Sequence, residues 1–194
     1  MNFLKRIYFI FFTHLIVFVA KLLGGIHGPW THKRTSQQDV EDILPLIEEG
    51  DFILTRTRGE LTTAVIPGYW KHSETYVGER HVVGAVSPQT RKTWIENLIL
   101  KTDYFCVMRL KDVTKEEQQA ICAMALAMLH IPYDFGMNFN EKSTVCCSEL
   151  IFLSINHARP GTLDLRPRMG FKTITPQDIA DATSKFDVIY KKIN

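Results

Sequence analysis

The sequence predicts an α+β fold, in which helices pack on a small, mostly antiparallel β-sheet. Two short segments of strand-forming residues, 73–77 and 81–86, flank the turn residues 78–80 (GER), a pattern typical of a β-hairpin. A further strand pattern at 104–110 is followed by a capping box at residues 114–117 (TKEE), which opens a long helix. Together these observations indicate paired strands covered by helices.

The other elements follow from hydrophobic spacing, helix caps and helix breakers. In chain order, the patterns predict a helix at 40–49, a strand at 52–55, a loop with some helical character at 59–68, the hairpin strands 73–77 and 81–86, a short helix at 93–100, the strand 104–110, a helix through residue 129, a helix at 145–157, a short helix from 176 and a strand at 186–190. Ser36 or Asp39 can cap the first helix, and Ser143 or Thr144 can cap the helix at 145–157.

Length and composition restrict the class of protein. The chain has 194 residues, of which 45% are hydrophobic, and 23 Lys and Arg side chains stand against 21 Asp and Glu. This is enough for one ordinary domain, and it excludes collagen, coiled-coil and disordered proteins. A formal net charge of +2, with no stripe of clustered basic and aromatic residues, predicts no nucleic-acid partner.

Charge and aromatic residues are distributed unevenly. The first 34 residues contain five basic side chains and no acidic one, which leaves 18 basic and 21 acidic side chains for residues 35–194. Five of the 12 Phe fall in the first 20 residues, around an uncharged, mostly apolar run at 7–20 that follows Lys5 and Arg6. A basic start and an apolar run close to the ~20 residues that span a bilayer are typical of a secretory signal or signal anchor.

This pattern divides the chain into three parts. Residues 1–23 are predicted to form an N-terminal apolar helix that is a membrane anchor or signal-like, residues 24–36 a linker, and residues 37–194 the domain. We therefore expect a membrane-associated protein with an inner-membrane anchor and a domain that is periplasmic or stays inside, or an exported protein. The alternative is an apolar helix that docks on the domain or lies in the membrane interface.

Two residues can form a nucleophile and base. Cys147 lies in the first turn of a predicted helix, where unpaired backbone N–H groups favour the thiolate. His72 begins a predicted strand, from which it can take the thiol proton and return it to a leaving group. Taken alone the pair is weak evidence, because free cysteine is among the most buried residue types and a buried structural thiol is inert.

Four segments carry a resemblance to a known family. They are residues 50–56 (GDFILTR), residues 71–78 (KHSETYVG), residues 131–135 (IPYDF) with 147–151 (CSELI), and residues 175–179 (TPQDI). In this order, over roughly residues 50–190, they resemble the permuted NlpC-type, papain-like cysteine amidases of the YaeF/YiiX group. The resemblance implies a circularly permuted papain-like fold, in which the histidine strand precedes the cysteine helix.

The resemblance also implies site residues and a reaction. Cys147 matches the family nucleophile and His72 its general base, and the reaction is thiol attack on an amide or related acyl bond through an acyl-enzyme. The neighbouring Cys146 does not directly precede Ser-Glu-Leu as the family nucleophile does, so we interpret it as a packing residue. The group that orients the imidazole is expected on the next strand, where this sequence has Gly84. A water, a backbone carbonyl or a side chain such as Glu74 can take that role.

We therefore expect a bacterial thiol hydrolase that cleaves an amide, such as one in a cell-wall peptide. The alternatives are a lipid acyltransferase or thiol lipase of the same fold, related to the lecithin:retinol acyltransferase-like enzymes, or a catalytically impaired, membrane-tethered binding module. The expected partners are a peptide or acyl-lipid substrate and the membrane. The four cysteines include no C-x-x-C pair, and no phosphate- or dinucleotide-binding motif occurs, so we expect no metal and no cofactor.

Overall fold

The computed structural model describes residues 34–58, 66–137, 139–141, 143–168 and 171–193. The predicted N-terminal apolar helix at 1–23 and most of the predicted linker and of the loop at 59–68 lie outside these ranges. Within them, no helix is both long enough and apolar enough to cross a bilayer. The Thr35 hydroxyl oxygen lies 2.7 Å from the carbonyl oxygens of Ile99 and Thr102, so the chain packs on the domain before the first described helix begins.

The described strands form a six-stranded antiparallel sheet and a separate two-stranded hairpin. The strands are β1 (Phe52–Arg56), β2 (His72–Tyr76), β3 (His81–Gly84), β4 (Arg91–Trp94), β5 (Tyr104–Leu110), β6 (Arg166–Arg168), β7 (Phe171–Thr173) and β8 (Phe186–Lys192). The large sheet has the order β4, β3, β2, β1, β5, β8, and β6 pairs with β7. Strand β2 therefore lies inside the sheet, between β1 and β3.

Five helices are described around this sheet. They are α1 (Gln37–Ile43), α2 (Ile95–Ile99), α3 (Lys115–Ala127), α4 (Cys147–Ala158) and α5 (Pro176–Asp181). The predicted capping box of α3 is confirmed, because the Glu117 N–H donates to the Thr114 hydroxyl (N to O 3.2 Å) and the Thr114 N–H donates to the Glu117 carboxylate (2.9 Å).

The α+β class with an antiparallel sheet is confirmed, and several elements agree closely with their predictions. Strand β5 has the predicted bounds, and the turn at 78–80 joins β2 to β3. The helix predicted at 93–100 was wrong in its first part, because residues 91–94 pair with β3 as an edge strand. The β6–β7 hairpin was not predicted.

Alternation along β1 separates two hydrophobic layers, one on each face of the sheet. Phe52 and Leu54 belong to the layer shared with α3 and α4, whereas Ile53 belongs to the layer shared with α1 and α2. Helix α4 contributes Leu150 and Ile151, which are 0% and 1% exposed. Full burial of such a side chain stabilises the fold by about 1.5–3 kcal/mol, so α4 is held firmly against the sheet, beside β2.

Candidate active site

The start of α4 determines where Cys147 lies. Cys147 is the first residue of the helix and Cys146 is its N-cap, with extended backbone dihedrals. The approach to the helix is also extended, and the Val145 N–H donates to the Pro132 carbonyl oxygen (N to O 3.0 Å). Because the chain turns into the helix only after Val145, the caps predicted at 143–144 were wrong. Cys147 accordingly occupies the first helical turn, where a thiolate is favoured.

Three further contacts hold this first turn in place. The Cys146 N–H donates to the Glu149 carboxylate (N to O 3.4 Å), and the Glu149 N–H faces the Cys146 sulfur. The Ser148 hydroxyl donates to the Ile174 carbonyl oxygen (2.7 Å), which ties the helix to the segment before α5. The position of the Cys147 backbone is therefore fixed from both sides.

His72 begins β2, opposite Thr55 of β1, and its side chain forms a hydrogen bond with Cys147. The N–H of the next residue, Ser73, also donates to the Cys147 sulfur. The His72 side chain is 24% exposed, so it remains accessible from solvent. The structure thus brings together the two residues that the sequence singled out, although 75 residues separate them along the chain.

Cys147 and His72 shift each other's pKa in opposite directions. Burial raises the pKa of the Cys147 thiol, but the hydrogen bond and charge of His72, together with two backbone N–H groups, outweigh burial and lower this pKa. Burial lowers the pKa of His72, but its hydrogen bonds to Cys147 and Glu74 prevail and raise it to about 10. Both shifts favour a thiolate–imidazolium pair at neutral pH, which is the reactive form of a cysteine nucleophile.

Glu74 contacts the other side of the imidazole. Its Oε1 lies 2.9 Å from Nε2 of His72, and its side chain is 5% exposed. Since Nε2 faces Glu74, Nδ1 is the ring nitrogen that remains for the hydrogen bond with Cys147. The sequence left three alternatives for this partner. The i, i+2 spacing on one strand was the indication in favour of Glu74, because it places both side chains on the same face of β2.

Gly84 and two aromatic residues of the segment before α4, Tyr133 and Phe135, complete the surroundings of the pair. Gly84 provides no side chain, and the Glu74 carboxyl group lies directly against it. The pKa of the Tyr133 phenol is raised by burial and by the charges of Cys147 and Cys146, so this ring lies near both sulfurs. Tyr133 packs edge-on against Phe135, with ring centroids 4.9 Å apart. One wall beside Cys147 is therefore aromatic.

A helix-start cysteine paired with a histidine from an antiparallel strand is the arrangement typical of papain-like cysteine hydrolases, here in permuted order because β2 precedes α4. The family model of permuted papain-like amidase enzymes, the YaeF/YiiX or C92 family, matches residues 46–185. The chain therefore belongs to this family of cysteine amidases and peptidases. No curated protein matches the chain.

A solved structure supports the same fold. The chain is similar to the crystal structure of the metalloprotein YiiX from Escherichia coli O157:H7, with a TM-score of 0.66, 19% identity, and coverage of 77% of this chain and 99% of that chain. At this identity the likeness shows the fold alone. In the described part of the present chain, no group of three or more His, Cys, Asp or Glu side chains is placed to hold a metal ion.

Proposed function

We propose that the protein is a thiol hydrolase that cleaves a peptide amide through an acyl-enzyme on Cys147, with His72 as the base and acid. The observation that carries the proposal is the contact between the two side chains at the start of α4, which lowers the pKa of the thiol and raises that of the imidazole. Membership of the amidase family supports the class of reaction.

In the first half of the reaction, the Cys147 thiolate attacks the amide carbonyl carbon and forms a C–S bond. The oxygen gains negative charge, which the backbone N–H of Cys147, at the positive end of the helix dipole, stabilises. The His72 imidazolium then gives its proton to the amide nitrogen, the C–N bond breaks, and the amine leaves. The products of this step are a free amine, a thioester on Cys147 and a neutral imidazole.

In the second half, water replaces the amine. Neutral His72 takes a proton from the water while the oxygen attacks the thioester carbon. The C–S bond breaks, a carboxylic acid leaves, and the thiolate–imidazolium pair is restored. If a lipid alcohol or amine enters instead of water, the same residues carry out acyl transfer.

Selective alkylation of Cys147 tests the proposal. An unperturbed thiol titrates near ~8.5, so we expect iodoacetamide to label Cys147 well below pH 7 in the wild-type chain. In His72→Ala the cation is lost, and labelling of Cys147 should move to alkaline pH. Peptide mapping by mass spectrometry measures both, and Cys146, in the same peptide, is the internal control. Equal labelling of Cys147 in the two proteins, with a midpoint near ~8.5, would overturn the proposed pair.

A substrate screen separates hydrolysis from its alternatives. Peptidoglycan fragments, acyl esters and acyl-lipids with an amine acceptor should be incubated with the wild-type chain and with Cys147→Ser. We expect release of a free amine from a peptide, whereas transfer of a fatty acyl group would indicate the acyltransferase or lipase alternative. A catalytically impaired binding module is the alternative because position 84 has no side chain that can orient His72; the Glu74 carboxylate, 2.9 Å from Nε2 of His72, supports the enzyme instead.

We also propose that residues 1–23 attach the domain to a membrane, since a basic pair precedes an apolar run there. Fractionation of cells that express the full chain, compared with a chain that begins at residue 34, tests this. The full chain should sediment with membranes and the shorter chain should not. Recovery of both in the soluble fraction would contradict the attachment. Protease accessibility of the attached domain in intact cells and in spheroplasts then decides whether cell-wall peptide or an internal acyl-lipid is the available substrate.

A further inference from the structure

Gly84 lies where a side chain has no room. The register that pairs Thr75 with Val83 and Tyr76 with Val82 continues to place Gly84 opposite Glu74. A Cβ atom on residue 84 would lie 2.4 Å from Cδ and 2.5 Å from Oε1 of Glu74. Such distances are shorter than any normal van der Waals contact.

The backbone does not explain this glycine. Gly84 is the last residue of β3, and its φ is not among the positive values that favour glycine at Gly50, Gly68, Gly78 and Gly161. Glycine also weakens a strand interior, because it adds conformational entropy to the unfolded chain and provides no side chain to pack. Space for the Glu74 carboxyl group is therefore the structural reason for glycine at position 84.

The Glu74 carboxyl group depends on His72. Its Oε1 contacts Nε2 of His72, whereas its Oε2 is buried and has no hydrogen-bond partner in the described part of the chain. A buried carboxylate with one unsatisfied oxygen is costly unless a cation lies beside it. The His72 imidazolium is that cation, which makes the pair an electrostatic unit rather than a packing contact.

We propose that Glu74 is the positioning residue of His72, and that positions 74 and 84 share one carboxylate site that a side chain can enter from either strand. The inference rests on the proposed roles of Cys147 and His72. The carboxylate oxygens of an aspartate lie about 2.4 Å from its Cβ. This matches the 2.5 Å between Oε1 of Glu74 and a Cβ on residue 84, so Asp at 84 can place an oxygen where Oε1 now lies.

An exchange of the two residues tests the proposal. The readout is the His72 pKa, measured by NMR titration of the imidazole in the full chain. In the wild type we expect His72 to stay protonated up to about pH 10. Glu74→Gln and Glu74→Gly remove the negative charge and should lower this pKa by at least about one unit, a tenfold loss of proton affinity. When Gly84→Asp or Gly84→Glu is added to Glu74→Gly, the His72 pKa should return most of the way to its wild-type value.

Gly84→Ala is the matched control. In the wild-type background its methyl group displaces the Glu74 carboxyl group, so the His72 pKa should fall although the carboxylate is still present. In the Glu74→Gly background the same substitution should cause no further change in the His72 pKa. An unchanged His72 pKa in Glu74→Gln, which is close to isosteric and should fold, would overturn the positioning role.

The exchange has its own negative outcome. Failure of both Gly84→Asp and Gly84→Glu to raise the pKa again in folded protein would overturn the shared site. Because the titration observes His72 directly, these results do not depend on amide cleavage. Failure of the proposed function would instead appear as an ordinary alkylation profile of Cys147 in the wild-type chain.

Discussion

The adjacent residues Cys146 and Cys147 share a residue type and a degree of burial, yet their chemistry differs. They are 1% and 3% exposed. Burial and the charge of Cys147 raise the pKa of the Cys146 thiol well above its ordinary value. The pKa of the Cys147 thiol is lowered instead, although burial opposes this, because His72 and two backbone N–H groups contact its sulfur.

This difference shows that burial alone makes a thiol inert. Cys106 and Cys122 show the same effect of burial, which raises the pKa of each thiol to about 11. Cys147 differs from Cys146 in its position: Cys147 is the first residue of the helix and its sulfur contacts β2, whereas Cys146 is the N-cap. A helix that began one residue earlier would place Cys146, and not Cys147, at the first helical position. The start of α4 is therefore as important to the site as the cysteine itself.

The largest effect is expected from paired serine substitutions at these two positions. Cys147→Ser should reduce amide hydrolysis at least about 10³-fold, because a hydroxyl beside the same imidazole is a much weaker nucleophile. Cys146→Ser should keep activity within a few fold, since the proposed reaction does not use its sulfur. Initial rates of amine release on the peptide found by the screen measure both. Loss of activity in Cys146→Ser alone would reverse the assignment.

An intermediate effect is expected from Glu149→Gln, which removes a carboxyl group from the environment of Cys146. Burial raises the pKa of Glu149 from 4.5 to about 7. The hydrogen bond from the Cys146 N–H lowers this pKa, and the negative charge of Asp134 raises it further. Ionisation is therefore harder in the folded chain, and the wild type loses stability as the pH rises from about 4.5 through 7. Gln keeps an acceptor for the N–H but does not ionise.

Chemical denaturation at two pH values measures this effect. At pH 8 we expect Glu149→Gln to raise the free energy of unfolding by about 2 kcal/mol, whereas at pH 4.5 and below the two proteins should agree. A shift from 4.5 to about 7 corresponds to ~3.4 kcal/mol without screening, which partial exposure to solvent reduces to about 2 kcal/mol, and the sign follows from the direction of the shift. An equal difference at both pH values would show that the effect comes from packing rather than from ionisation.

The smallest effect is expected on the stability of Cys146→Ser. Serine is a favoured N-cap, and its hydroxyl can accept the Glu149 N–H that now faces the sulfur. Loss of buried thiol surface opposes this gain, so the free energy of unfolding should change by less than about 1 kcal/mol. Thermal unfolding followed by circular dichroism measures the change. A loss of several kcal/mol would show that Cys146 is a core packing residue more than a cap.

Much of the architecture was predictable because its determinants are local. The turn at 78–80 and the capping box at Thr114 specify their elements within a few residues, and β5 is delimited by its own alternation. The edge strand β4 was not predictable in this way, because its residues are strand only through pairing with β3. The prediction of the α4 cap was also wrong. Ser143 and Thr144 have good cap side chains, but the hydrogen bond from the Val145 N–H to the Pro132 carbonyl oxygen keeps the chain extended past them.

The sequence by itself determined the family, the α+β class and the two residues expected to react, because motifs and helix starts depend on residues that are close together in sequence. Only the tertiary structure decided which group faces the imidazole. Glu74 is near His72 in sequence, but its contact depends on the register of β2 with β3, which brings glycine rather than a side chain beside its carboxyl group. Register is a property of two strands together, so no single segment of sequence contains it.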